Sequence, residues 1–241
     1  MQRGSDCSTE KRSGVHSRRV LLIGNSDGIG LETTKRLLAT GYMVSGISRS
    51  ASPVGHDAYT HIVHDVAATD YADILRRVTE AQGPFDICIY CAGIGEFFDA
   101  TRIQADVRVF EVNLLGAVRT AEVLVPAMLA SGGGHIVVLS SQAAQLLSPQ
   151  APSYSASKAA LSSYFEGLGL ALRHRRIYIT NLRLGFVDTK MAKSSKRPFL
   201  MTPERAADVV LYALEKRPLR LTRPLRMAIA LRISRWFRLV R

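Results

Sequence analysis

Tyr154 and Lys158 stand four residues apart in the stretch SYSASK at 153–158. On a helix that spacing puts both side chains on one face. A free tyrosine has a pKa of about 10, too high for easy proton exchange near neutrality. A neighbouring ammonium favours the phenolate and lowers that value. A tyrosine tuned in this way can protonate a carbonyl oxygen as hydride reaches the carbon, or deprotonate an alcohol in the reverse direction. Spacing alone does not separate this chemistry from a surface pair. A hydroxyl adds weight: Ser141 closes the apolar run IVVLSS at 136–141, thirteen residues before Tyr154. At a strand's carboxyl end it can hydrogen-bond a substrate oxygen. Ser140 competes for that role, and a simple capping role suits either serine.

A second group of residues handles an anion. Residues 21–30 read LLIGNSDGIG, an apolar run followed by Gly24, Asn25, Ser26, Asp27, Gly28, Ile29 and Gly30. Between a strand and a helix, Gly24 allows a tight turn, Gly28 lets the backbone approach a ligand, and Gly30 lets helix and strand pack. The free amides of the helix start then face an anion such as a pyrophosphate. Where NAD sites commonly place an acid, at the end of the second strand, this chain has Ser48 and Arg49. A guanidinium there pairs with a 2′-phosphate, which favours NADP(H) over NAD(H). Asp27 pulls the other way, since a carboxylate near that phosphate repels it.

The elements that must position these residues follow from periodicity. Apolar runs at 19–24, 43–48, 59–64, 85–90, 134–140 and 177–184 are expected strands. Helical spacing occupies 28–40, 71–82, 107–129, 153–175 and 203–216. Strands alternating with helices predict βαβ units and a Rossmann-type, doubly wound, mostly parallel α/β sheet covered by helices on both faces. Ligands of such sheets bind beyond the carboxyl ends of the strands, where the motifs above fall.

Composition sets the frame. The chain has 241 residues, 47% of them hydrophobic and 22% charged, which suits one sizeable core and argues against wholesale disorder. We expect a flexible leader over 1–17, one catalytic domain over 18–222 and a basic amphipathic segment over 223–241. Three cysteines make no disulfide framework, so a reducing, cytoplasmic setting is expected. Cys88 and Cys91 form a CxxC, but the surrounding run suggests a buried strand, and no second pair completes a metal site. No run of about eighteen apolar residues is present to span a membrane. The net charge of +12 suggests anionic partners. It concentrates after Glu215, where nine Lys and Arg residues follow with no acid. No nucleic-acid recognition motif accompanies it.

The order glycine turn, CAG at 91–93, VNL at 112–114, LSS at 139–141, YxxxK and GFVDT at 185–189 resembles the short-chain dehydrogenase/reductase family over roughly 18–218. The resemblance implies nicotinamide-dependent carbonyl and alcohol chemistry. By position it implies that Ser141 orients the substrate oxygen and Tyr154 is the acid/base. Lys158 would bind the nicotinamide ribose and lower the tyrosine pKa, and Asn113 would support a proton relay through a water. Asp65 and Val66 would flank the adenine, and Cys91, Ala92 and Gly93 would line the cofactor cleft. Gly185, Val187 and Thr189 would hold the nicotinamide end. Three residues depart from the family pattern: Ile23 for Thr, Cys91 for Asn and Leu184 for Pro. The first two would remove hydrogen bonds that tie cofactor loops to the core, and the third would loosen the backbone after the sixth strand. Family members often pair through two long helices, which implies a homodimer or homotetramer.

The substrate side carries Phe97, Phe98, Leu146, Leu147, Met191, Phe199 and Leu200, which suit a hydrophobic carbonyl or alcohol. Lys190, Lys193, Lys196 and Arg197 share its loop. If 224–241 is helical, Leu225, Ile229, Ile233, Trp236 and Val240 form one stripe away from Arg232, Arg235 and Arg238. Such a helix suits peripheral attachment to an anionic membrane surface, or packing on its own domain or a second subunit. A cofactor-binding sensor or scaffold, and an epimerase or lyase on the same fold, remain rival readings.

Overall fold

The computed structural model describes residues 18–191 and 197–229. Among these residues, seven strands form one all-parallel sheet. In chain order they are β1 (Arg19–Ile23), β2 (Met43–Ser48), β3 (Tyr59–Val63), β4 (Ile87–Tyr90), β5 (Gly134–Ser141), β6 (Ile177–Leu184) and β7 (Arg220–Arg223). Their spatial order is β3-β2-β1-β4-β5-β6-β7, so the winding reverses between β1 and β4. At such a reversal the loops leaving two adjacent strands part and open a crevice.

Both faces of the sheet are covered, which explains the unbroken apolar runs. Val20 and Leu22 point to one face with α1 (Gly28–Ala39) and α6 (Pro203–Lys216). Leu21 and Ile23 point to the other, against Tyr71 and Leu75 of α2 (Tyr71–Gln82), Leu124 of α4 (Gly116–Ala130) and Phe165 of α5 (Pro152–Leu172). The same alternation separates the CxxC cysteines. Cys88 lies in the second core, while Cys91 packs against the first.

Two elements differ from the sequence expectation. The single helix over 107–129 is instead α3 (Gln104–Phe110), a π-turn (Glu111–Leu115) and α4. The composite helix, Gln104–Ala130, has the length and mean hydropathy of a membrane span. Val109, Val112, Ala121 and Leu124 on it are buried in the domain core, while Val107 and Leu115 are exposed. β7 was not expected at all: in its sequence RLTR only Leu221 is buried, and four residues give too little period to see. Arg220 leaves the basic run to pair with Glu166 of α5, Nε to Oε1 at 2.7 Å, and Arg217 stacks over the Tyr178 ring.

Candidate active site

The crevice begins at the glycine turn. Gly24 has φ +83°, and a Cβ there would lie 2.5 Å from the amide nitrogen of Ala92. The turn after β1 and the CAG loop after β4 therefore touch backbone to backbone. Gly30 faces the carbonyl of Gly24 just as closely. Asn25 turns inward and is fully buried; its Nδ2 donates to Tyr59 Oη at 2.7 Å. Tyr59 Oη and Ser48 Oγ both meet the His61 ring. This hydrogen-bonded row underlies the end of β2, where Arg49 is exposed. Asp65 is pulled up by partial burial, but the Ala67 amide, the Arg108 guanidinium and nearby Arg49 outweigh this and hold its carboxyl below the usual value. Val66 packs beside Gly116.

Asp27 does not stand as a bare repelling charge. It is the N-cap of α1, its Oδ1 accepting the Gly28 amide at 2.7 Å. Its Oδ2 pairs with Lys190 Nζ at 2.9 Å. The hydrogen bond from Lys190 holds the Asp27 carboxyl below its ordinary pKa.

The catalytic candidates converge at the carboxyl ends of β4 and β5. Ser140 turns into the α5 interface, bonding Ser162 Oγ at 2.8 Å and the Lys158 carbonyl at 3.1 Å. That leaves Ser141, partly exposed, as the candidate cleft hydroxyl, close enough to Tyr154 to oppose the rise of its pKa. Lys158 is buried, donates from Nζ to the Leu139 carbonyl at 2.8 Å, and lies 6.0 Å from the Tyr154 ring centroid. The expected lowering of the Tyr154 pKa is not found. Burial raises it, and the nearby Ser141 hydroxyl only partly offsets this. Burial also brings Lys158 down to about 8, so its ammonium persists at neutral pH and is lost as pH rises through that value. The Cys91 thiol is pushed up to about 12 by burial, the Lys158 charge opposing, and stays protonated.

Asn113 sits in the π-turn and is fully buried. Its Oδ1 accepts from the Ile94 amide at 2.8 Å, and its Nδ2 donates to the Ile94 carbonyl and to Ser157 Oγ. A π-turn frees backbone groups and often marks a functional position. Here Tyr90 Oη donates to the Val112 carbonyl at 2.6 Å. Gly116 leaves the room for it, since a Cβ there would lie 2.4 Å from that hydroxyl. Neither residue was singled out from sequence; a buried tyrosine at the end of an apolar strand was the available signal.

Of the three departures, Leu184 does not loosen the chain. It lies in register with Ser141 on β5 and Arg223 on β7. The next amide, Gly185, donates to the Arg223 carbonyl at 2.9 Å. A proline at 184 would bring no donor to this position inside the sheet. Ile23 is core, and Cys91 is tied by its own amide to the Ile23 carbonyl at 2.8 Å. Val187 bridges to Met201, so the chain returns to the end of β6 after residue 200. Leu225 and Ile229 of the expected C-terminal stripe are exposed, while Met227 is buried near Gly185. The rest of that segment, with Ile233, Trp236 and Val240, lies outside the described residues, as do the 1–17 leader, Lys193 and Lys196.

The model of the short chain dehydrogenase family matches residues 18–198. The chain belongs to the short-chain dehydrogenase family. An uncharacterized oxidoreductase of Staphylococcus haemolyticus is 30% identical over 215 residues, covering 83% of this chain and 92% of that one. A fatty acyl-CoA reductase of Acinetobacter baylyi is 29% identical, covering 87% and 77%. A Burkholderia cenocepacia short chain dehydrogenase in complex with NADP superposes with a TM-score of 0.80 at 24% identity, covering 91% and 92%. This is a family of oxidoreductases that bind a nicotinamide cofactor. The short-chain dehydrogenase crevice fits such a dinucleotide: the amide end of α1 already takes an anionic oxygen, from Asp27. The turn from Gly24 to Gly30, with Ser48, Asp65, Ala92 and Gly93, would hold it.

Proposed function

We propose that this chain interconverts a hydrophobic carbonyl compound and a secondary alcohol, using NADP(H), with Tyr154 as acid/base. One observation carries the reading: Tyr154 and Lys158 share one face of α5, with Lys158 Nζ 6.0 Å from the Tyr154 ring centroid, and the partly exposed Ser141 closes β5 near Tyr154. When bound, the nicotinamide supplies or accepts hydride. Ser141 holds the substrate oxygen beside Tyr154 Oη. Because burial keeps the phenol protonated, Tyr154 is poised to donate to that oxygen, which suits reduction. Lys158 places a positive charge that steadies the phenolate left behind. Asn113 keeps Ile94 and the π-turn in register, fixing the floor that Gly93 and Lys158 share.

Exposed Phe97, Phe98, Leu147, Phe199 and Leu200 in the cleft-side loops favour an apolar substrate, in keeping with the name of the Acinetobacter relative. Exposed Tyr164 and Leu170 on α5 favour a homo-oligomer built on that helix. Net consumption of NADPH with an apolar aldehyde or ketone is the test, and it separates a reductase from an epimerase or lyase.

Arg49 at the end of β2 supports NADP(H). Charge-assisted contact with a 2′-phosphate should give NADPH a preference of about 10- to 100-fold in Kd over NADH. Arg49→Ala should erase most of that preference by weakening NADPH alone. Equal or tighter binding of NADH to the unaltered protein would remove the role assigned to Arg49.

A further inference from the structure

Residues 189–191 run along the cofactor crevice from its phosphate end to its catalytic end. The Thr189 methyl lies 3.0 Å from where a Cβ on Gly28 would sit. Lys190 Nζ meets Asp27 Oδ2 at 2.9 Å. Met191 Cε lies 3.5 Å from the corresponding point on Gly93, a point that Asn113 Oδ1 and Lys158 Nζ also approach, each at 3.4 Å. Contacts on both sides of Lys190 thus hold it over the turn that receives the dinucleotide.

Asp27 occupies the amide end of α1 with one carboxylate oxygen and engages Lys190 with the other. A carboxylate there does what a phosphate oxygen would do, since helix amides favour any anion. An exposed lysine–carboxylate pair contributes little in water, and Lys190 is 89% exposed. Exchanging that partner for a doubly charged pyrophosphate therefore costs little and gains a stronger charge-assisted contact. Resting on the nicotinamide-cofactor reading of this crevice, we propose that Lys190 is a pyrophosphate-binding residue, and that Asp27 is the internal anion it leaves when the cofactor binds. The pair would set the affinity for the dinucleotide independently of the 2′-phosphate contact at Arg49.

The test is a double-mutant cycle read as NADPH Kd by titration calorimetry on the full chain, using Lys190→Ala, Asp27→Asn and both together. Asparagine keeps the cap on Gly28 and removes the competing charge. Lys190→Ala should weaken NADPH binding about tenfold, and Asp27→Asn should tighten it several-fold. In the Asp27→Asn background, Lys190→Ala should still weaken binding about tenfold, with a shallower salt dependence. Adenosine 2′-monophosphate, which lacks the pyrophosphate, should bind all four proteins alike. A Lys190→Ala change that is silent once Asp27 is neutral would overturn the proposal, because Lys190 would then serve only to neutralise Asp27. Failure of the unaltered protein to bind NADPH would overturn the cofactor reading as well; a silent lysine beside normal NADPH binding would sink the exchange alone.

Discussion

Tyr154→Phe should lower kcat for carbonyl reduction by about 10²–10⁴-fold and leave the Kd for NADPH unchanged. The change removes one hydroxyl, and with it the proton that the proposed reaction takes from Tyr154. General acid–base assistance of this kind contributes a factor in that range. The ring stays, so its packing beside Gly95 and Met191 stays, and the cofactor's phosphate turn lies elsewhere. Loss confined to kcat identifies a group that acts in the transition state. An equal rise in Kd for NADPH would instead mark Tyr154 as a wall of the cofactor cleft, and retained turnover would remove it from the chemistry.

The second large effect is on stability. Gly24→Ala should lower unfolding stability by more than about 2 kcal/mol. Its φ of +83° carries a penalty of about 1 kcal/mol for a non-glycine residue. The added methyl would also lie 2.5 Å from the Ala92 amide nitrogen and 2.6 Å from its Cα, both backbone atoms that cannot swing aside. Gly41 provides the control, with φ +82° and open space where a Cβ would point. Gly41→Ala should cost only the backbone term. Urea midpoints of the two variants measure the difference. Equal midpoints would mean that the glycine turn and the CAG loop are not in contact. The same separation should loosen NADPH binding in Gly24→Ala and spare it in Gly41→Ala.

Much of this was legible in the sequence because period and burial coincide. The strands are apolar on both faces, so their runs stand out, and β2 and β6 were bounded to the residue. β7 escaped because a four-residue basic strand at a sheet edge buries a single leucine. The π-turn escaped because Asn113 sits in a window whose helical period continues on both sides; only the tertiary bond from Tyr90 reveals it. Within the site, spacing placed Tyr154 and Lys158 together but misjudged their electrostatics. Proximity of opposite charge argued for a lowered tyrosine pKa, whereas burial of both groups dominates. Whether Ser140 or Ser141 faces the cleft was undecidable from LSS alone, since neighbouring residues on a strand point to opposite faces. The helix that Ser140 meets decides it. Asp27 was recognised as a charge near the phosphate turn, but its partner Lys190 comes from 163 positions along the chain, and no local pattern could pair them.

The most direct test of the proposed reduction follows NADPH absorbance at neutral pH while the protein meets a panel of apolar aldehydes and ketones. Steady consumption of NADPH with at least one of them, stoichiometric with alcohol formed, is the expected result. A protein that binds NADPH yet consumes none across the panel, in either direction, would contradict it and mark the chain as a cofactor-binding sensor or scaffold.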